Sequence, residues 1–249
     1  MSLPRRFSVS LPAQTDPLIG RELIEVRYED GSVEHLQLHD YERLYALPGA
    51  YEEIVQNRLR CVSPAVIASL LGAAVDRLGR PRASVRAIDI AAGNGISGEA
   101  LLAEGIRPVL GTDIVELARE AALRDRPDVY GEYLTLDLLA LDSDLERHLR
   151  SLRADALQCV APVGDSGGQL PEAALAAAVR LLEPDSLVAY MHDPGPNPED
   201  AVTYGFWRRE LGSDVVATEL TRHRYVHRQT VNGRPFEMNG VVWHIVRAG

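Results

Sequence analysis

The sequence contains no lysine; all 26 basic residues are arginine. GC-rich codon usage accounts for this without any functional cause, but the chemical consequence stands. There is no lysine for a Gly-x-x-x-x-Gly-Lys phosphate loop, for a Schiff base with pyridoxal phosphate, or for a Tyr-x-x-x-Lys reductase site. Cysteine is scarce too. Cys61 and Cys159 form no Cys-x-x-Cys pair, so neither a disulfide framework nor a cysteine metal site is expected, and a reducing cytoplasm is the expected compartment. No apolar run approaches the roughly 20 residues of a membrane helix. The first residues, MSLPRRFSVSLPAQTDP, carry two arginines without an apolar segment, so no secretory signal and no membrane partner are expected. Positive charge is in deficit, with 26 basic against 36 acidic residues and a formal net charge of −10. Such a surface repels phosphate backbones, which argues against a nucleic-acid partner.

What is present is the composition of a globular α/β protein, 46% hydrophobic and 25% charged over 249 residues. Residues 1–20 hold prolines without periodicity and read as an irregular arm. Residues 23–38 alternate around Asp30-Gly31, the signature of a hairpin whose two turn residues both take positive φ. Residues 39–60 read as two helical pieces broken at Pro48-Gly49, with Tyr41, Tyr45 and Tyr51 among them. Ser63-Pro64 then opens a helix that runs to Gly79. The pattern divides the chain into 1–62, an arm, hairpin and helical lid, and 63–249, the main domain.

From residue 84 strands and helices alternate. The strands are 85–91, 108–114, 132–138, 154–162 and 186–193. Helices follow the first at a glycine turn, the second at 115–124, the third at a Ser143/Glu146 capping box, and the fourth at 171–182. Repeated βα units imply a Rossmann-like, doubly wound, mostly parallel sheet of about seven strands. Residues 222–230 and 239–248 form its C-terminal antiparallel pair.

The most informative segment is 89–101, DIAAGNGISGEAL. A strand ends, glycines permit a tight turn, and a helix opens with its amide hydrogens toward any ligand. Gly93-Asn-Gly95-Ile-Ser-Gly98 matches the dinucleotide fingerprint, with Asp113 at the end of the next strand. A structural turn without ligand gives the same string. Asp89 favours another owner, because a pyrophosphate there meets a carboxylate whereas an ammonium is attracted. Asp89, Asp113 and Asp137 place three acids at three successive strand ends, where open α/β sheets bind ligands. An ammonium, a ribose diol and an adenine amino group together describe S-adenosylmethionine.

Segment 85–193 resembles the class I S-adenosylmethionine-dependent methyltransferases, whose pattern after the first strand is acid-x-Gly-x-Gly-x-Gly. The sequence has Asp89-Ile-Ala91-Ala-Gly93-Asn94-Gly95, with alanine for the first glycine. More narrowly, TDIVELAREA, LTLDL and VAPVGDSGGQLPEAALAAAVRLLEPDSLV resemble the methyltransferase-like proteins of the Williams–Beuren-region family. The resemblance implies that Ala91, Gly93 and Gly95 approach the methionine part, with Asp89 near its ammonium through an amide or water. It implies Asp113 on the ribose with Ile114 against the adenine, and Asp137 and Leu138 on the adenine amino group and ring. Val160 joins this cofactor set, and Tyr51 matches a lid tyrosine. Helix capping is the competing role for Asp113 and Asp137, and core packing for Tyr51.

Methyl transfer is an in-line displacement that needs a base only when the acceptor is protonated. His192 and Asp165, after the fifth and fourth strands, are the catalytic candidates, with local backbone capping the competing role for His192. No metal is expected. The expected function is methyl transfer from S-adenosylmethionine to a small-molecule acceptor. Alternatives are an NAD(P)-dependent oxidoreductase, or a non-catalytic cofactor-binding or partner protein on the same fold. The sequence leaves the oligomeric state open.

Overall fold

The computed structural model describes residues 6–15, 17–164, 169–193, 202 and 204–247. The chain forms two compact units, one of residues 1–62 with 226–236 and one of 63–225 with 237–249. Residues 226–236, which the sequence pattern assigns to the main domain, therefore belong to the smaller unit.

The smaller unit is built on a three-stranded antiparallel sheet of β1 (Phe7–Ser10), β2 (Leu23–Tyr28) and β3 (Val33–Gln37). β1 is a strand where the sequence suggested an irregular arm; pairing of Val9 with Val26 across the sheet supplies what its own pattern lacked. Alternation buries Ile24, Val26 and Leu36 on one face. The β2–β3 turn differs from expectation. Only Gly31 has positive φ (+83°); Asp30 does not, and its carboxylate accepts the Ser32 N–H at 2.9 Å. Tyr28 exchanges backbone hydrogen bonds with Gly31 and Ser32, which makes a three-residue loop with a left-handed glycine instead of a two-residue turn. Helices α1 (Tyr41–Ala46) and α2 (Ala50–Glu52) are separated at Pro48-Gly49, and a π-helical stretch, Glu53–Arg58, continues α2.

The larger unit begins with α3 (Ser63–Arg77). It continues through β4 (Arg86–Ile90), α4 (Ile96–Ala103), β5 (Arg107–Asp113), α5 (Glu116–Asp125) and β6 (Glu132–Thr135). Then follow α6 (Ser143–Ser151), β7 (Ala156–Pro162), α7 (Glu172–Arg180), β8 (Asp185–His192) and α8 (Tyr204–Leu211). Two long strands, β9 (Val216–Gln229) and β10 (Pro235–Val246), complete the sheet.

The seven strands lie in the order β6-β5-β4-β7-β8-β10-β9. β6, β5, β4, β7 and β8 are mutually parallel, and β10 runs antiparallel to β8. This is the expected doubly wound α/β sheet. Its central strands are buried on both faces, which is why they read as apolar runs instead of alternating ones. Ile88, Ile90, Leu157, Cys159, Val188 and Tyr190 pack under α6, α7 and α8. Strand order reverses between β4 and β7, so the crevice at their C-terminal ends is where this fold holds ligands. Among the described residues no single helix is long and apolar enough to cross a membrane.

Three local expectations are corrected. The third strand of the alternating region ends at Thr135, not at 138. Helix α8 was not foreseen. The cap of α6 is Asp142, not Ser143: its carboxylate accepts the N–H groups of Asp144 (3.0 Å) and Leu145 (2.8 Å), while Ser143 is already helical. Replacing an N-cap carboxylate costs about 1 kcal/mol. Asp142→Ala is therefore expected to lower unfolding free energy by about that amount in urea denaturation. Ser143→Ala should change it by no more than a few tenths of a kcal/mol, and the reverse ranking would return the cap to serine.

Candidate cofactor site

The glycine loop, residues 91–95, joins β4 to α4. Three of its five residues have positive φ: Ala91 at +52°, Gly93 at +55° and Gly95 at +86°. Gly95 is the N-cap of α4 and takes this conformation without steric cost. Ala91 stands where the resembled pattern has its first glycine, and its methyl group makes the left-handed backbone unfavourable by about 1–2 kcal/mol.

Both faces of the loop are tied to β5. The Ala92 N–H donates to the Thr112 carbonyl at 3.0 Å. The Asp113 carboxylate accepts the Gly93 N–H on Oδ2 and the Val115 N–H on Oδ1, each at 3.0 Å. Burial pushes the Asp113 carboxyl above its ordinary value, and the backbone N–H groups of Val115, Gly93 and Ile114 oppose that rise. Asp113 is half-buried, and a carboxylate has about four acceptor sites, so both oxygens retain capacity after these bonds. Beside it Ile114 leaves 68% of its surface exposed, an apolar side chain next to a polar strand end.

Asp89 lies beneath the loop and is fully buried. Its Oδ2 accepts the hydroxyls of Ser97, on α4, and Tyr130, each at 2.7 Å. Three glycines clear the space for the Tyr130 ring: a methyl group at Gly95, Gly98 or Gly111 would come within 3.3, 2.5 and 2.9 Å of it. Across the strand pair Asp89 faces Gln158, whose amide donates to the Ser97 carbonyl at 3.0 Å. Asp89 Oδ1 and Gln158 Oε1 are buried acceptors without a donor among the described residues. Burial pushes the Asp89 carboxyl up to about 6, against the pull of its hydrogen bonds from Tyr130 and Ser97. The side chain braces α4 and the segment before β6.

The remaining candidates are dispersed. Asp137 is exposed in the loop after β6, where its carboxylate accepts the Leu139 N–H at 2.9 Å, and Leu138 is half-buried against the core. Val160 is half-buried on β7, one residue past the last pair with β4. His192 ends β8, two strands from β4 and so about 10 Å across the sheet. Its Nδ1 donates to the Asp193 carbonyl at 2.7 Å, because Arg222, which can only donate, stands 2.5 Å from Nε2. Arg222 is itself bound by Glu219 through two hydrogen bonds. Burial lowers the His192 pKa, and Arg222 adds to that. The ring is neutral and its lone pair is engaged. Asp165 lies outside the described residues. Tyr51 belongs to the smaller unit, half-buried, with its ring 5.1 Å from that of Tyr45.

Sequence reasoning missed Ser97, Tyr130, Tyr133, Gln158 and Arg222. Gln158 did carry a signal, since a polar residue in the centre of the apolar strand ADALQCVAP requires a buried partner. The others are identified only by contacts over long sequence separations. Among the described residues no group of three or more His, Cys, Asp or Glu side chains gathers to hold a metal.

The chain matches no protein-family model and no curated protein. Solved structures do resemble it. An SAM-dependent methyltransferase from Anabaena variabilis is 14% identical, with a TM-score of 0.52 over 82% of this chain and 93% of that one. The CurJ carbon methyltransferase is 14% identical, with a TM-score of 0.54 over 84% of this chain and 62% of that one. The likeness establishes the class I methyltransferase fold.

Two outcomes follow from this geometry. Relief of the Ala91 backbone, less the added freedom of glycine in the unfolded chain, predicts that Ala91→Gly stabilises the protein by about 0.5–1 kcal/mol in chemical denaturation. The Asp89 carboxyl holds its proton more tightly folded than unfolded. Its contribution to stability is therefore full below its ordinary 3.8 and is lost as pH rises to about 6. Asp89→Asn keeps the acceptor for Ser97 and Tyr130 and has no charge to bury. Between about pH 4 and pH 8 the stability of this variant should gain on the wild type by about 2.5 kcal/mol. A constant difference across that range would mean that Asp89 titrates like an exposed carboxylate.

Proposed function

We propose that this chain is an S-adenosylmethionine-dependent methyltransferase acting on a small-molecule acceptor. The observation that carries the reading is the joint between Gly93 and Asp113. A half-buried carboxylate at the end of β5 holds the glycine loop, keeps acceptor capacity, and adjoins an exposed apolar side chain, Ile114. The donor set suits the cofactor: hydroxyl acceptors for a ribose diol on Asp113, apolar surface for a purine on Ile114 and Leu138, and Asp137 for its amino group. Ala91, Gly93 and Gly95 supply close backbone approach for the amino-acid end, with Val160 beside them on β7. Asp89 supports this set from beneath through α4. Tyr51 remains a proposed cover for the methionine part by resemblance alone. When bound, the cofactor supplies a methyl group on a cationic sulfur, open to in-line attack.

A dinucleotide is the weaker occupant. Burial of Asp89 removes it from contact with an incoming pyrophosphate, but the joint supplies a stronger objection. The Gly93 N–H, which a phosphate on this loop would take, already ends on the Asp113 carboxylate. Strand β10, inserted antiparallel between β8 and β9, also departs from the parallel order of dinucleotide folds.

On the acceptor side we assign His192 with Arg222, and Asp165 by its position after β7. His192 accepts a proton only once the Arg222 N–H leaves its Nε2, so the arrangement suits acceptors that lose their proton readily. The same engaged lone pair is what a non-catalytic binding protein would show, and detection of methyl transfer separates the two. The net charge of −10 favours a small molecule over RNA or DNA. The narrower likeness to the Williams–Beuren-region proteins rests on the three sequence segments alone.

Isothermal titration is expected to show binding of S-adenosylmethionine and S-adenosylhomocysteine by the wild type and none of NADH. Asp113→Ala should weaken cofactor binding by about 1.5–3 kcal/mol, the scale of a hydrogen bond to a charged group. An unchanged dissociation constant would leave Asp113 as a loop cap only.

A further inference from the structure

Gly93 is held at both of its backbone polar groups. Its N–H donates to Asp113, and its carbonyl accepts the Tyr133 hydroxyl at 2.7 Å. Tyr133 comes from β6, two strands from the loop, and is 5% exposed. Its ring packs edge-on against Tyr130 at 5.3 Å, and its own carbonyl is held by Arg119 at 3.1 Å, so the hydroxyl is delivered from a fixed frame.

A trans peptide sets the N–H opposite to the C=O in one plane. With the Gly93 carbonyl drawn to Tyr133, the N–H of Asn94 is directed to the other side. That N–H has no acceptor among the described residues, although Asn94 is only 3% exposed. A backbone N–H without an acceptor in so buried a residue is rare, and at a glycine loop it marks a donor open to an anion or carbonyl oxygen.

We infer that Tyr133 is a positioning residue of the cofactor site. Its hydroxyl fixes the Gly93–Asn94 peptide plane so that the Asn94 N–H is presented to the carboxylate of the cofactor's amino-acid end. The inference rests on the methyltransferase reading. It divides the site in two, with Asp113 serving the ribose and Tyr133 acting through the loop on the amino-acid portion.

The test compares two ligands in wild type and Tyr133→Phe by isothermal titration. S-adenosylhomocysteine has the amino-acid end; 5′-methylthioadenosine shares the nucleoside and lacks that end. The expected result is about tenfold weaker binding of the first and less than twofold change in the second. A purely structural tyrosine would weaken both alike, and that result, or no change in either, overturns the inference alone. Wild type that binds neither ligand overturns the methyltransferase reading itself. If the phenylalanine variant does not fold, the wild type still decides the matter by NMR. The Asn94 amide proton should shift downfield with S-adenosylhomocysteine and not with 5′-methylthioadenosine, and the same shift with both overturns the inference.

Discussion

Two backbone N–H groups, from Gly93 and Val115, end on one carboxylate, Asp113, at the C-terminal end of β5. Much of the site's geometry follows from that convergence. A loop with three positive-φ residues has no regular hydrogen-bond ladder to define it, so its shape depends on what it is bonded to. Here it is bonded to the end of the neighbouring strand through charge-assisted hydrogen bonds, which are shorter and stronger than neutral ones. The carboxylate that defines the loop also keeps acceptor capacity of its own. In the proposed function, loop shape and ribose recognition are therefore coupled at one residue.

Beneath this joint is a second polar layer, closed to solvent. Asp89, Ser97, Tyr130 and Gln158 link β4, α4, β7 and the segment before β6. A carboxyl in such a place is a cost to folding unless it is protonated or fully hydrogen-bonded. Burial raises its proton affinity, and its hydrogen bonds restrain that rise. The layer holds the start of α4 against the sheet, which keeps the glycine loop above it in place. Three glycines that resemble a single motif in sequence thus have separate tasks. Gly93 is bonded to Asp113 and Tyr133 through its backbone, while Gly95 and Gly98, with Gly111 on β5, leave room for one tyrosine ring.

The C-terminal end of β8 has a different character. His192, Arg222 and Glu219 form a hydrogen-bonded row in which the imidazole is neutral and already accepts. Such a histidine is a weak base at neutral pH, since protonation must displace a guanidinium and then bear its charge. Under the proposed methyl transfer such a ring suits an acceptor that ionises by itself, because alignment and exclusion of water then supply most of the rate.

The order of strands and helices after residue 84, helix α8 apart, was legible in the sequence, as were the glycine loop and the acids near the strand ends. Each is a local property: apolar runs for strands buried on both faces, glycine where φ must be positive, aspartate where a strand gives way to a turn. What only the tertiary structure decided is which groups meet. Gly93 and Asp113 are 20 residues apart, Tyr130 and Asp89 are 41 apart, and Gln158 and Ser97 are 61 apart. Those meetings depend on sheet register and side-chain direction. The same cause explains β1, whose pairing partner lies elsewhere in the chain, and the α6 cap, where Asp142 and Ser143 are chemically equivalent candidates until backbone dihedrals separate them. Composition and periodicity specify which elements form; long-range pairing specifies what their side chains can do.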